Sequence, residues 1–78
     1  MTLDKAIIKR ILTLCEEKEL TINALANLAG LYQSSVNNII SGISHSPKII
    51  TLYRICQGFN ITLDEFFNDE LFKNIDDD

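Results

Sequence analysis

Apolar positions in this chain recur at helical spacing in five segments, separated by short polar or glycine-containing breaks. Ile7, Ile11, Leu14 and Cys15 line one face of a helix predicted over about residues 3–18, with Lys5, Lys9, Glu16 and Glu17 mostly on its other sides. Leu25, Ala26 and Ala29 mark a second helix, about 22–29. Thr21 is its expected N-cap, without a capping-box acid because Ala24 stands at the third helical position. Gly30 then offers the positive φ that a sharp turn between two helices demands. Leu31, Val36 and Ile39 resume the periodicity, placing a third helix at about 33–41 with Gly42 as its stop. Ser44, Ser46 and Pro47 mark a loop over 43–48. Ile49, Leu52, Ile55 and Cys56 form the apolar face expected for a fourth helix, about 49–58, and Phe59 follows it into the core. Thr62 and Glu65 make a T-x-x-E capping box that opens a fifth helix, with Leu63, Phe66 and Phe67 facing inward. The reading is an all-α domain over residues 1–67. Residues 68–78 follow as a tail, first apolar (Leu71, Phe72, Ile75) and then acidic (Asp76–Asp78).

The third helix has an unusual polar side. Its non-apolar positions are Gln33, Ser34, Ser35, Asn37, Asn38 and Ser41, and none is charged. An ordinary exposed helix carries Lys and Glu there. A neutral face of amides and hydroxyls suits contact with base edges, which offer hydrogen-bond donors and acceptors. Helix, glycine turn and helix in this order form a helix-turn-helix signature.

The net charge of −4 argues against a nucleic-acid partner until its distribution is examined. Residues 1–63 carry six basic and four acidic side chains, a balance of +2; residues 64–78 carry one basic and seven acidic, a balance of −6. The acidity belongs to the tail, and the mildly basic body permits DNA binding. At 78 residues and 46% hydrophobic content, the chain suffices for one small core. Cys15 and Cys56 fall among apolar residues on separate helices and read as buried free thiols. With one His and no CxxC, no zinc site is expected. Lys5, Lys9 and Arg10 interrupt any leader-like apolar run. Residues 20–47 lack Lys, Arg, Asp and Glu, but their Asn, Ser, Gln and Gly content excludes a membrane span. A reducing cytoplasm is the expected compartment.

Leu25-Ala26, Gly30-Leu31, Gln33-Ser34, Val36, Ile39, Gly42, Pro47, Thr51-Leu52, Ile55-Cys56 and Ile61 together resemble the Cro/Xre-like, lambda-repressor-like family of prokaryotic and phage DNA-binding regulators. The resemblance covers about residues 18–67. It implies a compact five-helix bundle, with helices two and three as the DNA-reading unit. It also implies a transcriptional regulator such as a repressor, commonly a homodimer on a palindromic operator, and neither cofactor nor small-molecule ligand is expected.

Within that frame Gln33, Ser34, Asn37 and Asn38 are the expected base readers. Gln33 leads them, since its amide donates and accepts at once as adenine N6 and N7 require. Thr21, Asn23, Tyr32, Ser35, Ser44, His45 and Lys48 are the expected phosphate contacts, with Ser46 as a further neutral donor. Three departures from the family pattern stand out. Tyr32 occupies the usual Ser or Thr cap position of the recognition helix. Some members bury an Arg–Glu pair whose matching positions here are Cys15 and Ile40, so an apolar core without charge compensation is expected. The cationic complement is thin, which makes dimerisation more important and the salt dependence shallow. Phe66, Phe67, Leu71, Phe72 and Ile75 carry enough apolar surface either to fold back on the core or to join two copies. No enzyme motif surrounds the single His. A protein-interaction module on the same fold, antitoxin-like or regulator-binding, stands as the alternative to DNA binding.

Overall fold

A computed structural model describes residues 1–43 and 46–76. Ser44, His45, Asp77 and Asp78 lie outside the described residues. The helices are α1 (Leu3–Glu17), α2 (Ile22–Ala29), α3 (Gln33–Ile40), α4 (Ile49–Phe59) and α5 (Leu63–Phe67), followed by a short 3-10 turn at Glu70–Phe72. No strand occurs among the described residues beyond one isolated bridge, so the expected all-α, five-helix architecture is the one observed.

Three of the four helix ends within the bundle share one solution. After α1, Glu19 adopts φ 54°, and Leu20 N–H donates to Cys15 O at 2.8 Å. After α2, Gly30 has φ 69°, and Leu31 N–H reaches Ala26 O at 2.9 Å. After α4, Asn60 has φ 61°, and Ile61 N–H reaches Cys56 O at 3.0 Å. Each is a left-handed residue followed by a six-to-one backbone bond, which satisfies carbonyls the helix would leave unpaired. Each is also followed by an apolar side chain (Leu20, Leu31, Ile61) that packs against the core. The same device stops the helix and steers the chain back inward. At the other ends, Thr2, Thr21 and Thr62 cap α1, α2 and α5 through their side chains. The expected capping box is present: Thr62 Oγ1 accepts from Glu65 N–H, and Glu65 Oε1 accepts from Thr62 N–H.

The core is a single cluster drawn from α1 (Ile7, Ile11, Leu14, Cys15), α2 (Leu25, Ala26), α3 (Val36, Ile39), α4 (Leu52, Ile55, Cys56, Phe59) and α5 (Phe66). The most extensive helix pairing is α2 on α4. Gly58 allows it: a Cβ there would sit 3.1 Å from the Ala29 Cβ, the Ala29 backbone nitrogen and the Leu25 Cδ1. Both thiols are free and buried, and burial pushes both pKa values up. For Cys56 the nearby Arg10 charge pulls partly the other way.

Two expectations are corrected here. Ile49 does not join the core but is 70% exposed. It occupies the first turn of α4, where side chains lean toward the helix N-terminus and here overhang the end of the bundle. The core is also not free of buried charge. Cys15 is indeed apolar and buried, but Arg10 on α1 is only 9% exposed. Its Nε donates to Phe66 O at 2.7 Å, its Nη2 to Glu65 O at 3.0 Å, and its Nη1 to Asp69 Oδ2 at 3.1 Å. Positions 15 and 40 are apolar, and the buried charge lies instead five residues earlier on α1, where it joins the segment after α5.

That segment folds back along α1. Phe66, Phe67 and Phe72 form a three-ring cluster with centroids 4.9–6.0 Å apart, largely edge to face. Asp69 Oδ1 caps the 3-10 turn by accepting from Leu71 N–H at 3.0 Å. Thr2 and Asp76 form a parallel bridge, and the Met1 ammonium lies 2.9 Å from Asp76 Oδ2. Hydrogen bonding to that ammonium, then its charge, holds the Asp76 carboxyl below the usual range.

Candidate nucleic-acid interface

α2 and α3 are joined by three residues, Gly30, Leu31 and Tyr32, and meet in direct contact. Val36 and Ile39 anchor α3 to the core, at 0% and 4% exposure, and Ser35 and Ile40 are half-buried. That anchoring turns Gln33, Ser34, Asn37, Asn38 and Ser41 outward, and all five are exposed. Their spacing of i, i+1, i+4, i+5 and i+8 places them on one side of the helix. All four expected base readers therefore share a single surface. Among the described residues, the side chains of Gln33, Ser34, Asn37 and Asn38 make no hydrogen bond within the chain. Ser41 differs, since its Oγ donates to Asn38 O at 3.3 Å.

The start of α3 is open. Tyr32 stands at its N-cap with ψ 142° and no side-chain cap bond, and it is 83% exposed. The first-turn N–H groups of α3 thus lack a side-chain acceptor, and Ser35 N–H donates instead to the Tyr32 carbonyl at 3.0 Å. At the start of α2, Thr21 Oγ1 accepts from Ala24 N–H at 3.0 Å, which still leaves the hydroxyl proton free to donate outward. Asn23 is exposed beside it.

A shallow groove separates α3 from the start of α4. It is lined by Ser35, Asn38, Ile39, Ser46, Pro47, Lys48 and Thr51. Lys48 is the exposed N-cap of α4, with no side-chain cap bond and no ion pair among the described residues. Thr51 is an addition to the residues expected from sequence; it is one helical turn past Lys48 and faces the same groove. Ser46, with φ 54°, is held by a hydrogen bond from its N–H to Asp4 Oδ1 at 3.2 Å, which ties the loop to α1. Ser44 and His45, two of the expected phosphate contacts, fall outside the described residues. A larger cavity of about 820 Å³ lies at the far end of α3, between the start of α1 and the returning segment at Ile75. Asp4, Lys5 and Asp76 lie on its rim, and no grouping of His, Cys, Asp and Glu fit to hold a metal occurs among the described residues.

The residues expected to join two copies are mostly committed within the chain. Phe66 is fully buried, so its ring has no surface left for a partner. Phe67 and Phe72 pack against the core, and with Leu71 and Ile75 they remain half-buried. No helix among the described residues is long and apolar enough to cross a membrane.

Residues 11–66 match the helix-turn-helix family model HTH_3. No curated protein matches the sequence. Among solved structures, the chain is similar to the prophage Lp1 protein 11 at 32% identity and a TM-score of 0.82, covering 96% of this chain and 99% of that one. It is also similar to an HTH_3 family transcriptional regulator from Vibrio cholerae, at 28% identity and a TM-score of 0.77 over 87% of this chain. Here it spans only 38% of the longer protein. An α2–turn–α3 unit with an outward polar face, matched across the whole unit by this family, makes the chain a member of the HTH_3 family and a DNA-binding regulator of the Cro/Xre type.

Proposed function

We propose that the chain regulates transcription by binding a specific double-stranded operator, with α3 in the major groove. The observation that carries this is the outward face of α3: four side chains with hydrogen-bonding capacity unused among the described residues, and no charge among them. Gln33, Ser34, Asn37 and Asn38 read base edges. Thr21, Asn23, Tyr32, Ser35 and Lys48 hold phosphates, together with Ser44 and His45. The first-turn N–H groups of α2 and α3 support the same backbone contacts. Gln33→Ala is expected to cost about 1–3 kcal/mol on the specific site and much less on random DNA. Mobility shifts on both duplexes check this, and equal losses on the two would remove Gln33 from base reading.

Two copies on a palindrome is the assembly this reading favours, because one copy presents a single recognition helix and few cations. The outer edges of Phe67, Leu71, Phe72 and Ile75 are the proposed contact. Since their inner surfaces are already buried, self-association is weak in free solution and completed on DNA. Sedimentation should show a monomer–dimer equilibrium at micromolar concentration and two copies per operator at saturation. One copy per operator at saturation would rule the dimer out.

A second reading keeps the fold and exchanges the partner. The uncharged stretch 20–47 adjoins exposed apolar side chains on α4 (Ile49, Ile50, Tyr53), a surface also suited to another protein. Retention of genomic fragments at low and moderate salt favours the DNA reading; loss of all retention at low salt favours the protein partner.

A further inference from the structure

We propose that the base pairs selected by the amides of α3 are A·T pairs, recognised at adenine N6 and N7, and that guanine is not the base α3 selects. This rests on the major-groove reading above and adds the chemistry of its ligand. Adenine presents a donor beside an acceptor in the major groove, whereas guanine presents two acceptors and cytosine one donor. The best partner for guanine is the cationic fork of Arg, or Lys. The best partner for the cytosine donor is a carboxylate. Neither type occurs anywhere between residues 20 and 47, so neither half of a G·C pair finds its preferred reader on the helix-turn-helix unit.

What the outward face does hold is three amides, Gln33, Asn37 and Asn38, all exposed. An amide offers one carbonyl acceptor and one N–H donor side by side, the complement of adenine N6–H and N7. None of the three amides is engaged inside the chain among the described residues. Ser41 gives its hydroxyl proton to Asn38 O, and Ser34 has a single hydroxyl donor that serves either purine and selects neither. Gln33 and Asn37 stand one turn apart, about 6 Å along the helix axis. With base pairs stacked about 3.4 Å apart, that span covers roughly two neighbouring steps. Lys48 is the nearest described cation in sequence to α3, and it stands on α4 across the groove from Asn38, where a phosphate rather than a base edge is its natural partner.

The test starts from the full chain and a pool of random duplexes, with bound molecules sequenced after several rounds. The selected site is then rebuilt with 7-deazaadenine or 7-deazaguanine, which lack the N7 acceptor. The expected result is a half-site with adjacent A·T pairs at its centre. There 7-deazaadenine weakens binding roughly tenfold or more, and 7-deazaguanine changes it by less than twofold. Gln33→Ala should relax the preference at one of these positions only. A selected centre of G·C pairs that is sensitive to 7-deazaguanine overturns the inference and leaves major-groove reading intact. A·T enrichment that survives 7-deazaadenine means that duplex shape is being read, and also overturns it. Absence of any enriched sequence overturns both this inference and the operator-binding function beneath it.

Discussion

Leu52→Ala should lower the unfolding free energy by roughly 2–5 kcal/mol. Leu52 is 2% exposed and lies on the face of α4 that meets the rest of the core. Truncation removes its transfer energy and leaves a cavity that neighbours fill only in part. α4 cannot move inward to fill it, because Gly58 already holds its far end against Ala29 and Leu25 at contact distance. A domain of this size has a total stability of only about 4–12 kcal/mol, so the change removes a large share of it. Leu52→Met keeps most of the volume and should cost less than about 1.5 kcal/mol. Urea unfolding of the three proteins, read by far-ultraviolet circular dichroism, gives the comparison. An unchanged midpoint for Leu52→Ala would mean that α4 does not pack by this face.

The positions of the helices were legible because the apolar period recurs through each, and the starts of α1, α2 and α5 are marked by Thr. Thr21 and Thr62 both cap as their sequence context suggests. The ends were less legible. Gly30 announces a left-handed residue, but Glu19 and Asn60 perform the same task without announcing it. Gly58 sends the opposite false signal. It looks like the stop of α4, yet it lies inside the helix and is there because α2 approaches too closely for a side chain. A glycine that ends a helix and one that admits a neighbour are the same letter, and only the tertiary contact separates them.

The candidate interface follows the same division. Which residues face outward on α3 was legible, since burying Val36 and Ile39 leaves Gln33, Ser34, Asn37 and Asn38 no other direction. Helical period settles that without any knowledge of the partner. The groove wall at Thr51 was not legible, because it depends on how α4 is set against α3 across the loop. The apolar run Phe66–Ile75 was legible as surface that needs covering. What covers it is a long-range fact: α1, more than fifty residues away in sequence, supplies the cover through Arg10.

Arg10→Ala is expected to cost about 2–4 kcal/mol, below the full range for a broken buried pair because Asp69 keeps 31% of its side-chain surface in water. Three hydrogen bonds leave with the guanidinium. Two of them serve carbonyls of Glu65 and Phe66 at the end of α5, a helix of five residues with little internal bonding of its own. The Phe66 carbonyl is buried beside packed aromatic rings, so losing its donor leaves it poorly served by water. The guanidinium carbon also stands 6.0 Å from the Phe66 ring centroid, a contact that alanine cannot replace. Arg10→Lys preserves the charge but not the planar fork, so it should recover only part of the loss. Asp69→Asn should cost less than Arg10→Ala, because the arginine keeps both carbonyl partners. Hydrogen exchange locates the damage: in Arg10→Ala the amides of residues 66–76 should exchange faster, while Val36 and Ile39 on α3 stay protected. If exchange rises equally through α3, Arg10 supports the whole bundle rather than the returning segment. If Arg10→Ala unfolds at the wild-type urea concentration, the clamp contributes nothing and the three bonds are replaced by solvent.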